Sequence, residues 1–204
     1  MIEKNKIKLL VGSISKNKTR IFRRLESRKK DLERYLYIRS EYEKGNIKNN
    51  SGFQCIYKQF YRMNIAGLTD DFFKEYFKLL ASRETNLKKI LLRLFDIPTR
   101  KKLKTVQFVF TTKLLHTINN NMPIYDLLVG KMLELKVTGK NPADKTNSCI
   151  KIYNQLKECH RELLNDKIIK NIILEFRIEF NCDKKKISDT KVLDFLIWTN
   201  GQLI

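Results

Sequence analysis

The chain has 204 residues, with a hydrophobic fraction of 42% and an aromatic fraction of 10%, which excludes a disordered chain and fits one folded domain. Its net charge of +20 comes from 42 basic and 22 acidic residues and predicts a polyanionic partner. That partner is either nucleic acid or an anionic membrane surface. A codon bias toward Lys, Asn and Ile would raise Glu together with Lys, so the excess of bases favours nucleic acid.

The four cysteines do not have the spacing of a metal site. Cys55, Cys149, Cys159 and Cys182 form no Cys-x-x-Cys pair, and the chain has only two histidines. The sequence shows no signal peptide and no run of about 18 apolar residues. We therefore expect a cytoplasmic protein with reduced thiols, no metal, no cofactor and no membrane partner.

The N-terminal segment 1–48 is strongly basic, with 15 Lys and Arg residues against 6 acids. From Lys18 to about Lys44, apolar residues recur at helical spacing. Arg20, Arg23 and Arg24 cluster there and predict a face that follows nucleic-acid phosphates, although a solvated helix surface explains them equally well. We expect a basic helical arm over residues 1–48 and a helical body over residues 49–204, with an Asn-rich loop near the boundary.

The body is predicted to contain helices throughout. The aromatic and basic segment 53–63 has rings and cations that could stack bases, but such rings are more often core. Thr69 or Asp70 caps the next helix, and the following helix ends before Pro98. The remaining predicted helices cover residues 103–118, 127–135, 147–164, 168–180 and 189–198, with a strand as the weaker alternative for 168–180 and a loop at 137–145.

Lys113 lies among apolar neighbours on the predicted helix 103–118. At about 100° per residue, Val106, Val109 and Phe110 fall on its side of the helix. A lysine there must extend to the surface, pair with a carboxylate or lose its proton. A desolvated amine is what a lysine nucleophile requires, and a lysine at the rim of the core is the structural alternative.

Asp126 and His116 are the other two candidate site residues. Asp126 follows a Pro-Ile-Tyr turn and opens the next helix, where aspartate is a good N-cap. His116 follows Lys113 by three residues and could orient or deprotonate its amine, or contact a phosphate. A partly buried histidine with a backbone partner is the alternative.

The segment Thr112-Lys113-Leu114-Leu115-His116, an Asn-rich turn and Pro123-Ile124-Tyr125-Asp126-Leu127-Leu128-Val129 together resemble the end of a helix-hairpin-helix DNA glycosylase domain. The resemblance is closest to the 8-oxoguanine glycosylase branch and its small bacterial relatives. The segment from Lys191 to Trp198, with Gly201, is similar to the closing helix of those relatives.

This resemblance implies an all-α fold, a compact single-domain helical bundle that binds DNA and excises a flipped base. Lys113 would attack the anomeric carbon of the sugar, and Asp126 would stabilise the positive charge that develops there. The hairpin would lie at residues 96–102. The basic residues there extend the expected nucleic-acid surface: Arg100, Lys101, Lys102 and Lys104.

Two other functions remain open. The candidate hairpin has no glycine where the family has Gly-x-Gly, which favours a helical nucleic-acid-binding protein without catalysis. Small glycosylase-like proteins also look like components of bacterial defence systems, so an interaction subunit is the third hypothesis. A catalytic lysine distinguishes the enzyme from both, and a steep salt dependence of binding distinguishes the binding protein from the interaction subunit.

Overall fold

A computed structural model describes residues 2–204, and over that range the chain forms helices and no strand. The predicted all-α fold is confirmed, and the isoleucine-rich segment 168–180 is helical. There are ten α-helices and one 3-10 helix in the described range: α1 (Lys4–Glu26), α2 (Lys29–Lys44), α3 (Ser51–Phe60), the 3-10 helix (Met63–Ile65), α4 (Asp70–Ala81), α5 (Leu87–Phe95), α6 (Phe108–Ile118), α7 (Leu127–Met132), α8 (Pro142–Asn165), α9 (Lys167–Glu179) and α10 (Asp189–Gly201).

Contacts along the chain divide it into two compact units that do not follow chain order. The first unit comprises Met1–Lys29, Asn120–Val137 and Lys151–Ile204, and the second comprises Lys30–Asn119 and Thr138–Ile150. Residues 1–48, the predicted arm, therefore contribute α1 to the first unit and most of α2 to the second. The domain boundary at residue 48 stays a prediction.

The first unit is built around α10. This helix buries every residue from Thr190 to Ile197, including the charged Lys191 and Asp194. Helices α1, α7 and α9 pack against it, and α1 also packs against α9. The buried residues of α1 recur every three, four or seven positions and form one apolar stripe: Ile7, Leu10, Val11, Ile14 and Ile21.

The second unit has an aromatic core. Helices α4, α5 and α6 pack against one another, and Tyr57, Phe72 and Tyr76 are fully buried. The Tyr57 hydroxyl lies 2.9 Å from the Tyr76 hydroxyl and 3.0 Å from Thr117 Oγ1, so the buried hydroxyl groups satisfy one another. Phe53 and Tyr61 are buried as well. Most rings of segment 53–63 are therefore core residues.

Two helices begin at different residues from those predicted. Helix α6 begins at Phe108 rather than near residue 103, because the preceding segment forms a tight turn. In that turn Thr99 N–H donates to Leu103 O at 2.9 Å, and Arg100 N–H donates to Gly67 O at 2.9 Å. Helix α8 begins at Pro142, inside the predicted loop, since a proline in the first turn lacks only an N–H that has no helical partner.

The predicted helix 18–44 is two helices that meet at Ser27 and Arg28, and the first of them already starts at Lys4. The last helix continues through Gly201 instead of ending near Trp198. None of the helices within residues 2–204 is both long enough and apolar enough to cross a membrane.

Candidate functional site

The exposed face of α1 is strongly basic. Between residues 4 and 25 the chain has eight Lys or Arg residues and no Asp or Glu. Residues four apart are neighbours on a helix surface, offset by about 40°, and six such positions form a row about 30 Å long that winds gradually around the helix. We call this row the α1 row, and all six of its members are exposed: Lys4, Lys8, Gly12, Lys16, Arg20 and Arg24.

The sequence-based prediction found only part of this surface. The predicted residues Arg20, Arg23 and Arg24 are exposed on α1. Lys4, Lys8 and Lys16 were missed because the predicted helix began at Lys18. The helical spacing of the apolar residues from Ile7 to Ile14 was the signal that could have extended the predicted helix to these lysines.

The bases of α1 fall into two classes. On its flanks, Lys6 Nζ lies 2.5 Å from Glu134 Oε2, and Lys18 forms an ion pair with Glu175. The hydrogen bond with Glu134 raises the pKa of Lys6 above its ordinary value. Among the described residues, Lys8 and Lys16 have no carboxylate within ion-pair distance, so the α1 row keeps its positive charge available to a ligand.

Helix α1 is attached to α10 by a buried asparagine. Asn17 Nδ2 donates to Asn200 Oδ1 at 2.9 Å, and Ser13 Oγ donates to the same oxygen at 3.3 Å. Asn200 Nδ2 in turn donates to Ser13 Oγ at 3.0 Å. Asn200 is fully buried. These bonds fix the rotation of α1 about its axis and thereby direct the α1 row to solvent.

An open groove of about 890 Å³ runs along α1 within the first unit. Its lining includes three bases of the α1 row together with uncharged residues: Lys8, Lys16, Arg20, Leu9, Gly12 and Ile204.

The predicted hairpin is a tight basic turn between α5 and α6 in the second unit. Arg100, Lys101 and Lys102 are exposed, and within residues 2–204 no carboxylate pairs with them. Lys104 lies 3.7 Å from Asp96 Oδ1. Lys102 has φ of +59°, a left-handed conformation that glycine adopts most easily.

Lys113 is half-buried on α6. Its Nζ donates to Tyr61 O at 3.0 Å and lies 4.9 Å from the centre of the Phe110 ring and 5.6 Å from that of Tyr61. A cation over aromatic faces is stabilised by their negative charge density. The amine is therefore held in place by a carbonyl and two rings.

His116 and Asp126 have well-defined structural roles. His116 is fully buried, and its Nε2 lies 3.2 Å from the Tyr35 hydroxyl. Val129 N–H donates to Asp126 Oδ1 at 2.8 Å, which confirms Asp126 as the N-cap of α7. Lys113 and His116 belong to the second unit and Asp126 to the first. The catalytic roles of these three residues stay predictions.

A buried ion pair lies on α10 in the first unit. Lys191 Nζ is 2.6 Å from Asp194 Oδ2 and 4.3 Å from the centre of the Phe195 ring. The two side chains are 3% and 11% exposed. His160 is also buried, and burial lowers its pKa to about 4. In the sequence, the i, i+3 spacing of Lys191 and Asp194 was the signal that could have predicted this ion pair.

Comparisons with models of protein families, with curated proteins and with solved structures returned no match. In the described part of the chain, no three His, Cys, Asp or Glu side chains converge as metal ligands would.

Proposed function

We propose that the protein binds nucleic acid through the α1 row, mainly by contacts with phosphates. The observation that carries this proposal is the composition of α1: eight bases and no acid between residues 4 and 25. Five of those bases are exposed at positions four or eight apart, so their charges form a row along about 30 Å of the helix. Such an array fits a linear polyanion better than a compact anion.

Phosphate contacts position a protein on nucleic acid without reading its sequence. Because the cations of the row are expected to contact phosphates, binding independent of sequence is expected. The turn 99–103 offers a second exposed basic surface on the other unit, and it fits the same kind of ligand. Each surface can be tested separately by substitution.

The experiment is a salt titration of binding. Fluorescence anisotropy of a labelled DNA duplex of mixed sequence gives the association constant at each salt concentration. Each neutralised phosphate contributes about −0.9 to the slope of log K against log salt on duplex DNA. If the five bases of the α1 row each engage one phosphate, a slope near −4.5 is expected. Affinity that does not change with salt, or no binding at low salt, would contradict the proposal.

A second candidate function is base excision with Lys113 as nucleophile. The observation that favours it is the environment of Lys113, whose amine is half-buried and held at a defined position by Tyr61 and Phe110. After losing its proton, the positioned amine can attack the anomeric carbon of a flipped nucleotide. The bond from that carbon to the base breaks and the base leaves, and opening of the sugar ring then gives a Schiff base. Borohydride would reduce that intermediate and leave protein joined to DNA.

The trapping experiment compares wild type with Lys113→Gln on duplexes that contain oxidised, deaminated or abasic sites. Lys58→Gln is the matched control, because Lys58 also lies over a ring of the second unit, 4.9 Å from the centre of Phe73. A cross-link in wild type and Lys58→Gln that disappears in Lys113→Gln supports excision. A cross-link that persists in Lys113→Gln assigns the nucleophile to another residue.

A further inference from the structure

The groove along α1 combines cations with apolar surface. Leu9 is 72% exposed and Ile204 is 82% exposed, and both line the groove beside Lys8, Lys16 and Arg20. A single exposed leucine is ordinary on a protein surface. Two exposed aliphatic side chains next to three cations form instead a surface on which one ligand could place both apolar and anionic groups.

Gly12 lies at the middle of this groove and is not explained by the fold. A glycine inside a helix costs about 1 kcal/mol relative to alanine. A Cβ added at Gly12 would meet no atom within 4 Å, so packing does not require the glycine. What the missing side chain does allow is close approach of another molecule to the helix backbone.

We propose that this groove binds single-stranded nucleic acid in preference to duplex. The inference rests on the proposed function, in which the α1 row binds phosphates. In a duplex the base faces are stacked inside, so a groove meets only phosphates, sugars and base edges. A single strand exposes its base faces as well, and these can cover Leu9, Gly12 and Ile204 while the phosphates contact Lys8, Lys16 and Arg20.

An anionic membrane surface fits the same groove less well. Helices that bind membranes insert a whole apolar face between the lipids. The apolar stripe of α1, from Ile7 to Ile21, is buried in the core of the first unit instead. Among the residues that line the groove, Leu9 and Ile204 are the two large apolar side chains, too few to form an apolar face that inserts between lipids.

The test compares a labelled single strand of mixed sequence, the duplex formed with its complement, and a strand of equal length that lacks several of its bases. Binding to wild type, Leu9→Ser and Leu174→Ser is measured by anisotropy at one salt concentration. Leu174 is the matched control, since it is 59% exposed on α9 of the same unit and does not line the groove.

We expect wild type to bind the complete single strand about tenfold more tightly than the duplex, as the contact of a leucine with a base would give. Leu9→Ser should lose most of that preference, and Leu174→Ser should keep it. The base-depleted strand should bind wild type no more tightly than the duplex does. Equal affinities of wild type for all three ligands, or equal losses in both variants, would overturn this inference and leave the proposed function intact.

Absence of salt-dependent binding to any of these ligands would overturn the proposed function itself. Vesicles containing phosphatidylserine provide the remaining comparison. Binding of wild type to such vesicles that is tighter than to the single strand, and that is lost in Leu9→Ser, would assign the groove to a membrane surface and overturn the inference.

Discussion

At the residue scale, His160 couples the stability of the protein to pH. Burial lowers its pKa to about 4, and the nearby Asp194 opposes that shift only partly. The unfolded chain takes up a proton on this histidine near pH 6.5, whereas the folded chain resists protonation until the pH approaches 4. Its contribution to stability is thus complete above pH 6.5 and is lost as the pH falls toward 4, by roughly 3 kcal/mol in total.

We expect His160→Gln to show a smaller loss of unfolding free energy between pH 7 and pH 5 than wild type, because glutamine does not titrate. Urea unfolding at several pH values, with the two proteins measured side by side, gives this difference directly. The carboxylates titrate in both proteins and cancel in the comparison. Identical pH dependences would show that His160 is not the group that responds.

The role of Asp126 as a helix cap can be tested by substitution. Its carboxylate accepts the Val129 N–H, and asparagine is nearly as good at that position as aspartate. Asp126→Asn should therefore change the free energy of unfolding by a few tenths of a kcal/mol, and Asp126→Ala should lower it by about 1 kcal/mol. Equal losses in the two variants would mean that the negative charge, rather than the hydrogen bond, is what stabilises α7.

At the element scale, α1 depends on its polar contact with α10. Removing the Ser13 hydroxyl would leave the buried Asn200 with an unsatisfied donor, which costs about 1 to 3 kcal/mol. Ser13→Ala should accordingly destabilise the protein by that amount. Ser15→Ala is the matched control on the exposed face of the same helix and should change stability by less than about 0.5 kcal/mol. Thermal unfolding of the two variants measures this difference. Equal melting temperatures would show that the hydrogen bond between Ser13 and Asn200 does not stabilise the protein.

Local signals predicted the capping residues of α4 and α7, but they did not predict where α6 begins. Thr69, one of the two residues predicted to cap its helix, and Asp126 each accept a hydrogen bond from a backbone N–H of the first turn. The start of α6 could not be predicted, because the turn before it is held partly by Gly67, more than thirty positions earlier in the chain. The break at Ser27 and Arg28 contains neither glycine nor proline, so composition does not reveal it.

The same distinction between local signals and contacts across helices applies to the candidate sites. The exposure of Arg20, Arg23 and Arg24 followed from helical periodicity, which sequence carries. The partners of Lys113 and His116 did not, since Tyr61 and Tyr35 lie on other elements of the second unit. Which residues meet across helices is a property of packing, and periodicity alone does not specify it.

At the scale of the whole molecule, the net charge of +20 alone would attract any polyanion. The central claim is narrower: the bases of α1 that have no carboxylate partner contact phosphates, and those in ion pairs do not. The chain offers a direct comparison, because both classes occur on the same helix. Lys8→Gln/Lys16→Gln and Lys6→Gln/Lys18→Gln each remove two positive charges from α1.

The measurement is the slope of log K against log salt for wild type and these two double variants, with circular dichroism to confirm that each is folded. Loss of Lys8 and Lys16 should reduce the magnitude of the slope by about two, as expected when two phosphate contacts disappear. Loss of Lys6 and Lys18 should reduce it by less than half as much, since their charges already face Glu134 and Glu175. Equal reductions in the two variants would contradict the account, because binding would then depend on total charge and not on the α1 row.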